Sequence, residues 1–287
     1  MGELDTGRTV PVAGTGIWSA ALRYGDPAQA AELAAECEEL GYTALWVPDG
    51  GGEPFADLDR LVAATRTVTV ATGVLNVWAQ PVESANAWWA ARPQADRDRV
   101  LLGLGIGHGP RVGPRWTRPL ATMRDYLDEF EVPPARRCLA ALGPRMLELA
   151  GARTCGTHTY LVTPEHTAAA RQTLGPSAFV APEQGVVLES DPATAREIAR
   201  AELARYATLP NYTTNWLRLG FTESDVESLS DRLVDALVVW GDVETITRRL
   251  DEHRAAGADH VCVQVIRGGD VEPREAWRIL ADALVRA

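Results

Sequence analysis

The sequence contains no lysine: all 28 of its basic residues are arginine. Phosphate-loop nucleotide hydrolases, pyridoxal enzymes, Schiff-base aldolases and protein kinases each need a lysine at the chemistry, so all four are excluded. Cysteine is scarce as well. Cys37, Cys138, Cys155 and Cys262 are scattered with no Cys-x-x-Cys pair, and read as reduced buried thiols of a cytoplasmic protein. No apolar stretch approaches a membrane span, and Met1 to Val10 is polar with no signal-peptide core, so no membrane partner is expected. Positive charge is in deficit: 39 acidic residues give a net charge of -11, which argues against nucleic acid as a partner. No His-x-His, His-Glu-x-x-His or carboxylate cluster appears, so no metal is expected, and Gly-x-Ser-x-Gly is missing too.

What is present is a repeating unit. The chain has 287 residues, of which 46% are hydrophobic, enough for one large barrel or two ordinary domains. Gln29 to Leu40 is amphipathic at helical spacing, Asp26-Pro27 supplies an N-cap and a first-turn proline, and Gly41 ends the helix before the strand Ala44 to Val47. Glu244 to Ala256, Gly257 and His260 to Ile266 repeat the pattern. Eight strands are predicted: Gly14–Trp18, Thr43–Val47, Val68–Leu75, Val100–Ile106, Arg137–Leu142, His158–Thr163, Gln184–Glu189 and His260–Ile266. Near-continuous apolar strands alternating with helices indicate an α/β protein, a (β/α)8 TIM barrel spanning residues 1–287 as a single domain. An insertion precedes the last strand, and within it Leu209 to Phe221 reads as a loop placed to lie over the barrel mouth.

Barrel chemistry sits at the C-terminal strand ends. Those ends carry Trp18-Ser19, Pro48-Asp49, Gly73 with Asn76 and Trp78, Gly105 with Gly107 and His108, Gly143-Pro144-Arg145, and Thr163 to His166. Such a mouth suits a flat aromatic ligand with an anionic tail. Gly103, Gly105 and Gly107 alternate along one strand, which marks close approach by a ligand or by another backbone. They do not form a dinucleotide fingerprint, because the last glycine of Gly-x-Gly-x-x-Gly is replaced by His108 or Pro110. Gly143-Pro144-Arg145 runs from a strand into a helix, where free N–H groups and a guanidinium favour an anion, although a plain strand-to-helix turn looks the same. His108 is the candidate proton donor or acceptor and Asp49 a candidate to orient a ligand; a histidine bonded to a neighbouring loop and a turn-capping aspartate are the bland alternatives.

Several ordered segments resemble the luciferase-like monooxygenase superfamily, in particular its deazaflavin (coenzyme F420)-dependent oxidoreductase branch from actinobacteria. They are Gly14 to Trp18, Leu40 to Asp49, Ala71 to Asn76, Leu102 to His108, Ala141 to Arg145, Tyr160 to Thr167 and Gly257 to Gln264. The resemblance implies a bacterial-luciferase-like barrel holding a deazaflavin, or flavin mononucleotide (FMN) as the alternative, at its mouth. It also implies a non-prolyl cis peptide at Gly73-Val74 behind the cofactor ring and a homodimer. By that resemblance Gly73, Val74, Asn76, Gly105, Ile106, Gly107, Gly143, Pro144 and Arg145 contact the cofactor. Trp18, Ser19 and Trp78 contact a small organic substrate, while His108 and Asp49 serve hydride transfer at the cofactor's C5 carbon. Gly50 departs from the pattern: several sugar-phosphate dehydrogenases of this branch have histidine there. Two rivals remain open, an FMN-dependent monooxygenase and a non-catalytic cofactor-binding barrel.

Overall fold

The computed structural model describes residues 11–267 and 273–285. Among them run nine strands: β1 (Gly14–Trp18), β2 (Ala44–Val47), β3 (Thr69–Asn76), β4 (Val100–Gly105), β5 (Arg137–Leu139), β6 (Gly156–Thr159), β7 (Phe179–Val187), β8 (Val238–Trp240) and β9 (His260–Val265). All pairings are parallel, and the order β1-β2-β3-β4-β5-β6-β7-β9 closes on itself through β9 and β1. The result is the expected eight-stranded barrel. β8 is additional and pairs with the end of β7 at Gly185 to Val187, beyond the stretch of β7 that pairs β6.

Local sequence explains the repeating unit. Asp26 accepts a hydrogen bond from Gln29 N at the start of the helix Pro27–Glu39, whose buried side chains Ala30, Leu33, Ala34 and Cys37 form one stripe. Gly41 then adopts φ +94 to release the chain into β2, a conformation glycine takes without steric penalty. Between strands and helices lies one core layer that includes Ile17, Leu45, Val70, Leu102 and Trp277. A second fills the barrel itself, with Trp46 stacked on His158 at 4.2 Å and donating from Nε1 to His260 Nε2 at 3.1 Å. Gly16 makes room for that imidazole: a Cβ there would stand 2.7 Å from both Ala44 O and His260 Nε2.

Four expectations need correction. The seventh strand begins at Phe179 and not at Gln184; Pro182 interrupts its apolar pattern, yet the strand carries it. The sixth is Gly156–Thr159, because Leu161 takes φ 54 and ends the extended run, and the fifth stops at Leu139. Leu209 to Phe221 is no loop. Pro210–Arg218 is a helix with proline in its first turn and Tyr212, Asn215 and Trp216 buried on one face. No helix among the described residues is long and apolar enough to cross a membrane.

Candidate active site

The centre of the mouth is shaped by a break in β3. Its register against β4 shifts between Thr72 and Leu75, and the Gly73–Val74 peptide within that bulge is cis. The glycines around it are needed for packing. Trp18 Nε1 donates to Gly73 O at 2.8 Å, and a Cβ on Gly73 would fall 2.6 Å from that indole nitrogen. Val74 presses its side chain into β4: Cβ atoms on Gly103 and Gly105 would lie 3.2 and 2.4 Å from its methyls. The alternating glycines of β4 thus admit the bulged neighbouring strand, and Gly105 is covered by Val74 on its inward face.

A second network ties the ends of β2, β3 and β4 together. Asp49 is almost fully buried and pairs with the buried Arg23 at 3.2 Å; its other oxygen accepts from Asn76 N at 3.1 Å and Gln80 Nε2 at 3.3 Å. Asn76 Oδ1 in turn accepts from Trp78 N at 3.1 Å, and Trp78 Nε1 donates to Ile106 O at 2.6 Å. Asp49 thus accepts hydrogen bonds on both carboxylate oxygens and positions Asn76. The Ser19 hydroxyl accepts from Ala21 N at 3.2 Å to cap a short 3-10 turn, and the residue is buried there.

His108 follows Gly107, which turns the chain at φ +73. Its Nδ1 donates to Asn211 Oδ1 at 2.9 Å and its ring lies 5.4 Å from that of Tyr212. Both partners come from the helix Pro210–Arg218, so the insertion does reach the barrel mouth. With Nδ1 protonated, Nε2 carries the lone pair. Burial pushes the imidazole below its ordinary range; the bond to Asn211 opposes this and Arg111 adds to it. The neutral form is therefore favoured at neutral pH.

Gly143 is the N-cap of the helix Pro144–Arg153 and offers no side-chain cap, while Arg145 stands exposed in the first turn. Arg218 approaches from the insertion helix, its Nη2 3.9 Å from where a Cβ on Gly143 would be. An uncapped helix start between two guanidiniums can hold a phosphate.

Sequence reasoning misses Asn211, Tyr212 and Arg218, which lie in the segment that reads as a loop. It also misses Tyr160, whose ring packs 5.3 Å from Trp18 and whose hydroxyl bonds that of Tyr206 at 3.1 Å. Glu183 is the largest omission. It is 1% exposed, and desolvation, with a smaller contribution from Glu202 and against the bond from Leu161 N, pushes its carboxyl up to about 8. One signal was available: a carboxylate inside the apolar run Phe179 to Val187.

A parallel barrel with its polar groups gathered at the C-terminal strand ends has the (β/α)8 architecture. Residues 10–132, covering β1 to β4, match the model of the luciferase-like monooxygenase family. A Mycobacterium tuberculosis protein, provisionally named a coenzyme F420-dependent oxidoreductase, is 28% identical over 149 residues, 49% of this chain. That alignment spans 42% of the relative's length. The fold is similar to that of an F420-dependent secondary alcohol dehydrogenase in complex with an F420-acetone adduct, at a TM-score of 0.70 and 16% identity over 94% of this chain and 97% of that one. It is similar to coenzyme F420-dependent tetrahydromethanopterin reductase from Methanopyrus kandleri, at 0.69 and 15% over 96% and 99% of the two chains. It is also similar to the oxygenating constituent of 3,6-diketocamphane monooxygenase from Pseudomonas putida in complex with FMN, at 0.67 and 13% over 96% and 98%.

Proposed function

We propose that the chain is a deazaflavin (coenzyme F420)-dependent oxidoreductase acting on a small organic substrate. The observation that carries this reading is His108 just beyond β4, whose Nδ1 bond to Asn211 leaves Nε2 as the lone-pair nitrogen of the neutral ring, with no hydrogen bond to it among the described residues. The partial relative from Mycobacterium tuberculosis and the F420-dependent structural neighbours support the choice of cofactor.

The residues present fit such a group. The helix start at Gly143-Pro144 with Arg145 and Arg218 suits a phosphate-bearing tail, and Trp18 and Tyr160 offer aromatic walls beside the β3 bulge. When bound, a deazaflavin supplies hydride transfer at its C5 carbon. His108 Nε2 takes the proton from a substrate hydroxyl, and the protonated ring returns it when a carbonyl is reduced. Because burial lowers the imidazole pKa, alcohol oxidation is level near neutrality and falls only as pH drops below 6.5. Asp49 acts indirectly, by fixing Asn76 and through it Trp78.

His108→Ala tests the reading. With reduced or oxidised coenzyme F420 and a panel of ketones and secondary alcohols, turnover falls by at least about a hundredfold while cofactor affinity holds. An unchanged rate removes His108 from the chemistry. An FMN-dependent monooxygenase is the competing reading, favoured by the shared fold with the FMN-bound monooxygenase from Pseudomonas putida.

A further inference from the structure

Strand alternation decides what lines the barrel's upper interior. On β7, Phe179 and Ala181 belong to the interior core, so Glu183 and Gly185 share their face. On β6 and the residues after it, His158 stacks on Trp46 and Tyr160 follows two positions later. On β9, His260 and Cys262 face inward, and Gln264 follows them. Register then sets the neighbours: His158 opposite Ala181 puts Tyr160 beside Glu183, and Gly185 opposite Gln264 puts that amide one step nearer the mouth. Gly185 lets the Ile266 and Val238 side chains pack close to Glu183: a Cβ there would stand 2.9 Å from Ile266 Cδ1, 3.5 Å from Val238 Cγ2 and 3.6 Å from Glu183 Oε1.

Both polar side chains end in unpaired oxygens. Glu183 Oε2 accepts from Leu161 N at 3.3 Å, but Glu183 Oε1 and Gln264 Oε1 are buried without a hydrogen-bond partner among the described residues. Buried polar atoms of this kind are costly unless a ligand completes them. Glu183 is also held in place. Leu161 adopts φ 54, in the left-handed region, and so directs its N–H to Glu183 while its carbonyl accepts from Trp216 Nε1 at 3.2 Å.

We propose that Glu183 and Gln264 form a polar subsite in the barrel mouth that binds an uncharged oxygen of the substrate, a carbonyl or a hydroxyl, and disfavours carboxylates and phosphates. This rests on the reading of that mouth as the reactive site. The titratable groups bearing on Glu183 are Tyr160, Tyr206, Tyr212 and Cys262, which are neutral, and Glu202, which carries the same sign. The carboxyl therefore stays protonated near neutrality and donates to a carbonyl oxygen, while Gln264 Oε1 accepts from a hydroxyl. No cation is among the groups that shift Glu183, so an anionic group beside it would meet a like charge from Glu202 and no pairing guanidinium among the described residues. β4, with His108 at its end, lies opposite β9 in the ring, so the two polar groups address different parts of a ligand.

Infrared difference spectroscopy on the full chain at neutral pH tests this, using cyclohexanone and cyclohexanecarboxylate as probes, with and without coenzyme F420. The wild type shows a protonated-carboxyl band that E183Q lacks; cyclohexanone shifts it saturably and cyclohexanecarboxylate leaves it unmoved. E183L, checked for fold by circular dichroism, binds cyclohexanone about tenfold more weakly, whereas E183Q, which still donates, binds it much as the wild type does. An ionised Glu183, a band that cyclohexanone does not move, or equal response to the carboxylate overturns the subsite. A band shift without coenzyme F420 binding would retain the subsite and remove the cofactor reading; coenzyme binding with a silent band would do the reverse.

Discussion

Gly105 carries a side chain's worth of space that Val74 occupies, since a Cβ there would lie 2.4 Å from a Val74 methyl. Gly105→Ala drives Val74 from its seat and lowers stability by about 1–3 kcal/mol, measurable by urea denaturation. Adding Val74→Ala removes the collision and recovers most of the loss; an undiminished loss would mean that something else demands the glycine. The alternation of Gly103 and Gly105 is legible in the sequence, but its occupant comes from another strand and is not. Asp49 illustrates the same limit: an acid at a strand end is visible, whereas the buried Arg23 that consumes it is brought in by the fold. Glu183 is hidden for a different reason. Pro182 breaks the strand pattern immediately before it, so the acid falls outside the strand as read from residues.

The helix Pro210–Arg218 shows what the sequence conceals at the level of elements. Its stretch of asparagine and threonine has weak helix propensity, and burial of Tyr212 and Trp216 decides in favour of the helix. The element supplies both Asn211 to His108 and Arg218 to the start of the helix Pro144–Arg153. Arg218→Ala therefore weakens coenzyme F420 binding by about tenfold, more at low salt than at high, because one charge-assisted phosphate contact is lost. Arg205→Ala, which removes an exposed ion pair with Glu202, leaves affinity unchanged. Equal affinities for wild type and Arg218→Ala in a fluorescence titration would detach this helix from the anion site. By contrast, Asp26, Gly41 and Gly257 mark their helix ends legibly, since capping and φ of +94 and +99 are local demands.

Across the whole molecule, folding buries four neutral histidines, His158, His166, His253 and His260, and this sets its response to acid. Burial lowers His158 to about 4 and His253 and His260 to about 3, from 6.5. Above pH 6.5 both folded and unfolded chains hold them neutral and nothing changes. As pH falls below 6.5 only the unfolded chain takes up the protons, so each costs about 1.4 kcal/mol per pH unit until its folded pKa is reached. Glu183 opposes this from pH 8 down to 4.5, because its raised pKa makes the folded state the better proton acceptor there. Urea denaturation across pH thus shows stability declining from about pH 6.5 downward, and E183Q gaining on the wild type from pH 4.5 to 8. A flat profile through that window would contradict the burial of these groups. The barrel itself is readable from its helix, glycine and strand units, whereas its contents depend on which strands meet. The most direct measurement is a fluorescence titration of the chain with coenzyme F420 and, separately, with FMN. Saturable binding of the deazaflavin, at least about tenfold tighter than FMN, is the predicted result. Preference for FMN, or binding of neither, would contradict the account.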